Sequence, residues 1–204
     1  VKPEVLEDIR CCVCNNSDPK QFTPVYSKEK FEVFSCNSCG LYFIPPYYRK
    51  KIDYEHYKDE KVTEAVRAGN NWVKIQRHKL RLKFIKKYKS NGDLFDLGAG
   101  WGHFMLAGIE LGYNVSGIEI SEQPYLFCRN DLKLPVEHID FFEMKEDKKF
   151  DVITLWDVLE HIDKADTFIE KCSRLTKPDG IIVIQVPQID SYFAKKYKDD
   201  WKMM

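Results

Sequence analysis

Three glycines at alternate positions constrain the fold of this chain more than any other feature of its sequence. The segment 93–103, DLFDLGAGWGH, places Gly98, Gly100 and Gly102 between an apolar strand pattern and a helical pattern. Glycine lets a backbone turn this tightly and lets a ligand lie against it. A dinucleotide fingerprint would need its third glycine at His103, so the spacing disfavours NAD and FAD. A plain tight turn between strand and helix is the alternative explanation.

The chain after residue 90 alternates between strand-like and helix-like hydrophobic patterns. Its apolar strand-like runs lie at 94–95, 115–120, 152–156 and 181–186. Such alternation is typical of βαβ units around a parallel sheet. The sequence therefore predicts an α/β fold, with a Rossmann-like parallel sheet over residues 91–204 and a connector with a bridging helix over 47–90.

The segment 96–102, DLGAGWG, resembles the first signature of the class I S-adenosylmethionine-dependent methyltransferases. In that family the loop cradles the methionine part of the cofactor. The resemblance implies S-adenosylmethionine as cofactor, with the Asp96 carboxylate near its amino group and the loop formed by Gly98, Ala99, Gly100 and Gly102. A zwitterionic ligand with a sulfonium cation needs backbone donors and a nearby carboxylate more than a pyrophosphate nest.

Further matches to this family follow in the expected order. Glu119 ends the next strand, about twenty residues after the loop, where a carboxylate accepts from both ribose hydroxyls. Asp140, in the segment HIDFF, resembles the acid of the adenine-recognition turn, which accepts from the exocyclic amine. Phe141 and Ile120 are expected against the adenine ring. The segment 150–161 resembles the fourth signature, and Trp156 within it is the last predicted cofactor contact.

A histidine and two acids follow this fourth signature. Methyl transfer is an in-line displacement that mainly requires positioning, and an oxygen or carbon nucleophile also needs a base. Asp157, Glu160 and His161 lie just past the strand, where a parallel sheet presents its ligand crevice. The cluster resembles the ubiquinone-biosynthesis type of O-methyltransferase, which makes His161 the predicted base. A divalent-cation patch and a helix cap are the alternatives, and His103 is a weaker catalytic candidate.

Cysteines cluster near the N-terminus, where five of the seven lie within the first 39 residues. Cys11 and Cys14 form one C-x-x-C knuckle, Cys36 and Cys39 form another, and 21 residues separate the two. This is close to the spacing of a zinc ribbon with four thiolate ligands, so residues 1–46 are predicted to form a structural zinc module. Cys12 is either a spare thiol or a partner of Cys14. Two disulfides are the competing interpretation.

Charge balance bears on the partners of the chain. With 32 basic and 32 acidic side chains, the formal net charge is zero, which argues against a nucleic acid or an anionic membrane as the main partner. The sequence shows neither an apolar run long enough to span a bilayer nor a signal-peptide core, so a cytoplasmic protein is expected. The oligomeric state is left open.

A small-molecule acceptor fits the balanced charge, and the fusion of zinc ribbon, tyrosine-rich connector and methyltransferase signatures narrows the choice. It resembles bacterial and archaeal methyltransferases that act on sugars and related precursors. The predicted reaction is O- or C-methylation of a sugar or related metabolite. Methylation of nucleic acid or protein, with the zinc module as reader, and a non-catalytic cofactor-binding scaffold are the alternatives.

The C-terminal end departs from the family pattern. Class I methyltransferases usually add a two-stranded hairpin beyond the fifth strand, whereas 18 residues follow Val186 here and show no convincing strand pair. We therefore expect a sheet that lacks its last two strands, either as a fragment or as a natural short form.

Overall fold

The chain is described by a computed structural model that covers residues 3–7, 9–28, 31–49, 64–67, 69 and 71–197. It divides into two compact units, each treated by itself below. The first, the cysteine unit, comprises residues 1–52, 159–167 and 186–204, and the second, the sheet unit, comprises 53–158 and 168–185. The predicted division at residues 46 and 90 stays a prediction. Most of the tyrosine-rich connector, including Tyr54 and Tyr57, lies outside the described residues, as does Trp201.

The cysteine unit is built on a small antiparallel sheet. Helix α1 spans Pro3–Glu7, and strands β1 (Phe22–Lys28), β2 (Phe31–Cys36) and β3 (Tyr42–Phe43) pair in that order. The register places Phe22 opposite Cys36 and Phe34 opposite Phe43. Helix α2 (Pro46–Arg49) follows. The buried core of the unit consists of Val5, Ile9, Cys11, Phe22, Phe34, Cys36, Phe43 and Tyr48.

The sheet unit confirms the predicted α/β class. Its strands are β4 (Gly92–Leu97), β5 (Tyr113–Ile118), β6 (Val136–Glu137), β7 (Phe150–Trp156) and β8 (Thr176–Gln185). They form one sheet in the order β6-β5-β4-β7-β8, and every pair is parallel. Because β4 lies at the centre with connections leaving to both sides, the strand order reverses there. Ligands of open α/β sheets bind outside the carboxyl ends of the strands at such a point.

Helices cover this sheet because its strands are apolar on both faces. Helix α3 spans Trp72–Ile85, α4 spans His103–Glu110, and α5 spans Glu122–Leu126 before a π-helical turn, Phe127–Asp131. Helix α6 (Ala165–Leu175) enters the sheet unit from residue 168. The last four residues of β4 are all buried, as a strand covered on both faces requires.

Several elements of the fold have local features of their own. Strand β6 is short and consists of two residues, Val136–Glu137. Strand β8 begins at Thr176, ahead of the Pro-Asp-Gly segment, because its pairing with β7 extends back to Phe150. Ser121 occupies the N-cap position of α5 without a side-chain capping bond. On α3, Leu82 and Ile85 are buried while Trp72 is exposed.

Two further findings concern the region after β8 and the length of the helices. Among the described residues after β8, one helix, α7 (Tyr192–Tyr197), is present and no strand pair. None of the helices in the described part of the chain is long and apolar enough to cross a membrane.

Candidate functional site

The glycine loop follows β4 at the carboxyl edge of the sheet. The backbone N–H groups of Gly98 and Ala99 donate to the Ile118 carbonyl at 3.0 and 2.9 Å, which ties the loop to the end of β5. Gly98 has a φ of +75°, and a Cβ there would lie 2.7 Å from Val158 Cγ2. Only glycine fits both constraints. Gly100 has a φ of +51° and nothing within 4 Å of its Cβ position, so the backbone lies open there.

Glu119 meets this loop from the end of β5. Its side chain is buried, and its carboxylate accepts from the Gly100 N–H at 2.7 Å and from the Ser121 N–H at 2.7 Å. The acid predicted to bind ribose therefore faces the glycine loop rather than pointing away from it. Each of the two carboxylate oxygens therefore accepts one backbone N–H.

Asp96 lies beneath the loop and is fully enclosed. The Thr154 hydroxyl donates to its carboxylate at 2.7 Å. Burial, together with the nearby Glu119 charge and against the Thr154 hydrogen bond, raises the pKa of Asp96 to about 8. Among the described residues no cation lies within ion-pair distance of this acid. A buried carboxyl of this kind fits a ligand that supplies a positive charge.

The third predicted contact region follows β6. Asp140 accepts the Phe142 N–H at 2.7 Å through Oδ1, and the Glu143 N–H donates to the Asp140 carbonyl at 3.0 Å, which closes a tight turn at 140–144. Phe141 is buried against Phe168, with ring centroids 4.3 Å apart, whereas Ile120 is 65% exposed. Of the two predicted adenine contacts, Ile120 therefore offers the larger free surface.

The end of β7 brings together side chains that the sequence patterns did not connect. The Arg81 guanidinium from α3 lies 4.6 Å from the Trp156 ring centroid, and Phe104 lies against the same ring at 5.0 Å. Trp156 Nε1 and His103 Nε2 are buried nitrogens without a hydrogen-bond partner among the described residues. Arg81 gave no motif signal, because its place at the site depends on how α3 packs.

Two histidines in the same region are held neutral. Burial, and then the Lys74 charge, lowers the pKa of His103 to about 4. Burial, followed by the charge of Arg81, lowers the pKa of His78 to about 4. A desolvated imidazole next to cations loses its proton readily. Neither ring is therefore protonated at neutral pH.

The three predicted catalytic residues fall in different units. Asp157 directly follows β7 and lies in the left-handed region, with a φ of +57°, and its carboxylate accepts from the Gln185 side chain at 3.1 and 3.2 Å. Aspartate tolerates this conformation better than most non-glycine residues. Glu160 and His161 belong to a 3₁₀ turn, Leu159–His161, of the cysteine unit. Their catalytic role stays a prediction.

Four cysteines converge in the cysteine unit. The sulfur atoms of Cys11, Cys14, Cys36 and Cys39 all lie within 4.8 Å of one another. Cys11 Sγ lies 3.5 Å from Cys39 Sγ, and Cys14 Sγ lies 3.6 Å from Cys36 Sγ. These separations are far longer than a disulfide bond of about 2.05 Å. Four thiolates gathered in this way can form a tetrahedral zinc site.

The turn that contains Cys36 lowers the pKa of its thiol. Against the raising effect of burial, the backbone N–H groups of Ser38 and Cys39 and the neighbouring sulfurs lower the pKa of Cys36 to about 7. Gly40 closes the same turn with its N–H donating to the Cys36 carbonyl at 2.7 Å. Metal ligation needs the thiolate form, so this lowered pKa favours ligation through the Cys36 sulfur.

The central strand, the glycine loop and the two acids define a nucleotide-binding domain of the S-adenosylmethionine type. Comparison with known proteins agrees with this class. The sequence profile of a methyltransferase domain matches residues 71–204. The chain therefore belongs to this methyltransferase-domain family, within class I of the S-adenosylmethionine-dependent methyltransferases.

Individual relatives are more distant. The chain is 32% identical over 127 residues to a ubiquinone biosynthesis O-methyltransferase of Pasteurella multocida, covering 52% of each. It is 30% identical over 128 residues to the protein of that name from Pelagibacter ubique, covering 56% of this chain and 53% of the relative. The chain thus spans about half the length of the curated relatives it matches.

Solved structures share the fold. A sugar N-methyltransferase from a Streptoalloteichus species superposes with a TM-score of 0.53 at 16% identity, over 66% of this chain and 56% of that one. An S-adenosylmethionine-dependent methyltransferase from Clostridium acetobutylicum superposes with a TM-score of 0.51 at 16% identity, over 71% of this chain and 61% of that one. At these identities the likeness concerns the fold alone.

Proposed function

We propose that the protein transfers a methyl group from S-adenosylmethionine to an oxygen or carbon atom of a small molecule, a sugar or related metabolite. One observation supports this most: the Glu119 carboxylate accepts the Gly100 N–H at 2.7 Å, beside the buried Asp96. An open glycine backbone and an acid on the neighbouring strand match the needs of a ribose and an amino-acid tail. When bound, the cofactor supplies an electrophilic methyl group on a sulfonium.

The residues of the chain then bind the cofactor and orient it. Glu119 accepts from the ribose hydroxyls, and Asp96 balances the charge of the amino group. The loop of Gly98, Ala99, Gly100 and Gly102 lies along the methionine part. The proposed cofactor-binding residues also include Asp140 for the adenine amine and, as apolar contacts, Ile120, Phe141 and Trp156. Such positioning lowers the barrier because in-line transfer needs its two reacting atoms held close together.

The acceptor is proposed from two lines of support. The curated relatives are named as O-methyltransferases of ubiquinone biosynthesis, and one protein of the same fold is named as a sugar N-methyltransferase. The zero net charge of the chain suits an uncharged or locally charged small molecule. In this proposal His161 removes the proton of the acceptor, and Asp157 and Glu160 are further members of the predicted catalytic set.

The cysteine unit is proposed to hold a structural zinc ion. Cys11, Cys14, Cys36 and Cys39 would use all four tetrahedral positions, which leaves none for catalysis. The role of this ion is to hold the two knuckles together. Docking or gating of the substrate is the function we assign to the unit.

Cofactor binding is tested by calorimetry with S-adenosylhomocysteine on the wild type and on Glu119→Ala. We expect micromolar binding by the wild type and a loss of at least tenfold in the variant, since two ribose hydrogen bonds disappear. Glu122→Ala, an exposed acid three residues along, is the matched control and should bind as the wild type does. Absence of binding by the wild type, or equal binding by Glu119→Ala, would refute the proposal.

A further inference from the structure

Lys171 is a buried ammonium that the proposed cofactor contacts do not include. It lies on α6 within the sheet unit and is 5% exposed. Its Nζ donates to the Phe142 carbonyl at 3.1 Å and to the Met144 carbonyl at 2.6 Å. The same Nζ lies 5.2 Å from the Phe141 ring centroid. All of these partners belong to the 140–144 turn.

No carboxylate forms a direct ion pair with this buried ammonium in the described part of the chain, since no acidic oxygen there lies within 4.0 Å of Lys171 Nζ. Burying an ammonium costs free energy unless its donors are satisfied, and packing alone would be served as well by methionine or leucine. Two carbonyl dipoles and one aromatic face satisfy the ammonium here. All three interactions of the Lys171 ammonium therefore hold the 140–144 turn.

Lys171 acts as a clamp on the 140–144 turn, because the backbone hydrogen bonds of the turn leave two carbonyl groups for it. Its N–H groups bond inward, from Phe142 to Asp140 Oδ1 and from Glu143 to the Asp140 carbonyl. No backbone N–H in the described part of the chain donates to the carbonyls of Phe142 or Met144. Lys171 supplies the donors for both. It thereby joins the turn to α6, where Phe141 also packs on Phe168.

This clamp acts on the carboxylate that is proposed to read the nucleobase. Phe142 is held on one side by Lys171 through its carbonyl, and on the other side its N–H holds Asp140 Oδ1 at 2.7 Å. Asp140 Oδ2 has no hydrogen-bond partner among the described residues and is left for a ligand. The direction of this free oxygen therefore depends on where Lys171 places the backbone of residue 142.

We propose that Lys171 is a positioning residue for adenine recognition: by fixing the 140–144 turn it aims the Asp140 carboxylate at the exocyclic amine. The inference rests on the proposed function, in which Asp140 accepts from that amine. A carboxylate accepts from an amino group and repels a carbonyl oxygen, so the clamp sets the preference for adenine over a 6-oxopurine. Lys171 does not itself touch the cofactor.

The test compares two nucleosides that differ at this one group. Calorimetry measures the affinities of the full chain for S-adenosylhomocysteine and S-inosylhomocysteine, in the wild type, Lys171→Met and Lys171→Arg. We expect the wild type to prefer the adenine compound by at least tenfold. Lys171→Met should bind the adenine compound about tenfold more weakly and the inosine compound with unchanged affinity, so that the preference is lost. Lys171→Arg, which keeps the donors, should restore part of it.

Lys145→Met is the matched control because it removes an exposed lysine from the same stretch of chain. It should keep the wild-type preference. The ratio of the two affinities is insensitive to partial unfolding, since both ligands bind the same folded fraction. If Lys171→Met does not fold, Lys171→Gln, which keeps one donor group, replaces it and should show an intermediate ratio.

Asp140→Asn separates failure of this inference from failure of the proposed function. If Asp140→Asn loses the preference while Lys171→Met and Lys171→Gln keep it, the role of Lys171 is refuted and the proposed function stands. A wild type that binds neither nucleoside refutes the proposed function itself. A loss of preference in Lys171→Met that equals the loss in Asp140→Asn supports both.

Discussion

The cysteine unit and the sheet unit reach stability by different routes. The sheet unit buries an extensive apolar core between a five-stranded sheet and its helices. The cysteine unit has a three-stranded sheet and a small core in which two of the eight buried residues, Cys11 and Cys36, are also metal-ligand candidates. Small cores rarely stabilise a fold alone, and a metal ion compensates for this. We therefore expect the two units to respond to different perturbations.

Removal of metal should produce the largest difference between them. Structural zinc contributes on the order of 10 kcal/mol to the folding of small modules. A strong chelator, or the substitution Cys36→Ser, should therefore abolish amide-exchange protection in β1 and β2 while β4 and β7 stay protected. Exchange measured by mass spectrometry, with metal analysis of the same samples, reports both units at once.

Cys12→Ser is the control for this prediction, because Cys12 is not in the four-thiol cluster. It should keep one zinc ion per chain and normal protection. Unchanged zinc content in Cys36→Ser would remove the zinc site from the proposal, and equal loss of protection in β4 would contradict the separate stabilisation of the two units.

A change of pH should act on the sheet unit through Asp96. Its pKa is about 8 in the folded chain against an ordinary value of 3.8, so between these values the folded state holds a proton that the unfolded state has released. The stability contribution of the protonated acid is therefore complete at low pH and is lost as pH rises from about 4 to 8. The loss should be on the order of a few kcal/mol, at about 1.4 kcal/mol per pH unit of difference.

Thermal melting of the sheet unit between pH 5 and 8 measures this effect. The substitution Asp96→Asn keeps an acceptor for the Thr154 hydroxyl but cannot ionise, so its melting temperature should change less over the same range. An equally steep pH dependence in Asp96→Asn would show that other groups cause it.

Two glycines with nearly the same backbone conformation give the smallest and most local comparison. Gly40 in the cysteine unit has a φ of +77° and nothing within 4 Å of its Cβ position, while Gly98 has +75° and the Val158 methyl at 2.7 Å. Gly40→Ala should cost about 1 kcal/mol, the strain of a left-handed non-glycine residue. Gly98→Ala should cost about 1 to 3 kcal/mol more, because the added methyl also overpacks the loop.

Denaturant unfolding of both variants measures the difference. Truncating the facing side chain supplies the check, since Gly98→Ala in a Val158→Ala background should lose most of the extra cost. Equal costs for the two alanine variants in the wild-type background would show that the space at Gly98 adapts.

Much of the fold and of the candidate cofactor site could be predicted from local patterns. The apolar runs predicted the parallel sheet because a strand buried on both faces must be apolar throughout. Gly98 and Glu119 could be identified because a tight turn and the end of a strand are both marked by neighbouring residues in the sequence. Lys171 and Arg81 carried no such signal. One reaches the 140–144 turn from α6 and the other reaches Trp156 from α3, and neither contact has a sequence period.

The sequence by itself determined the α/β class, the order of the signatures and the four-cysteine set, because each depends on residue type at short spacing. Tertiary structure alone decided that Glu119 meets the Gly100 N–H, that Asp96 is fully enclosed and that a lysine of α6 holds the Asp140 turn. Burial and hydrogen-bond direction arise from packing between elements distant in the chain, and no local pattern encodes them.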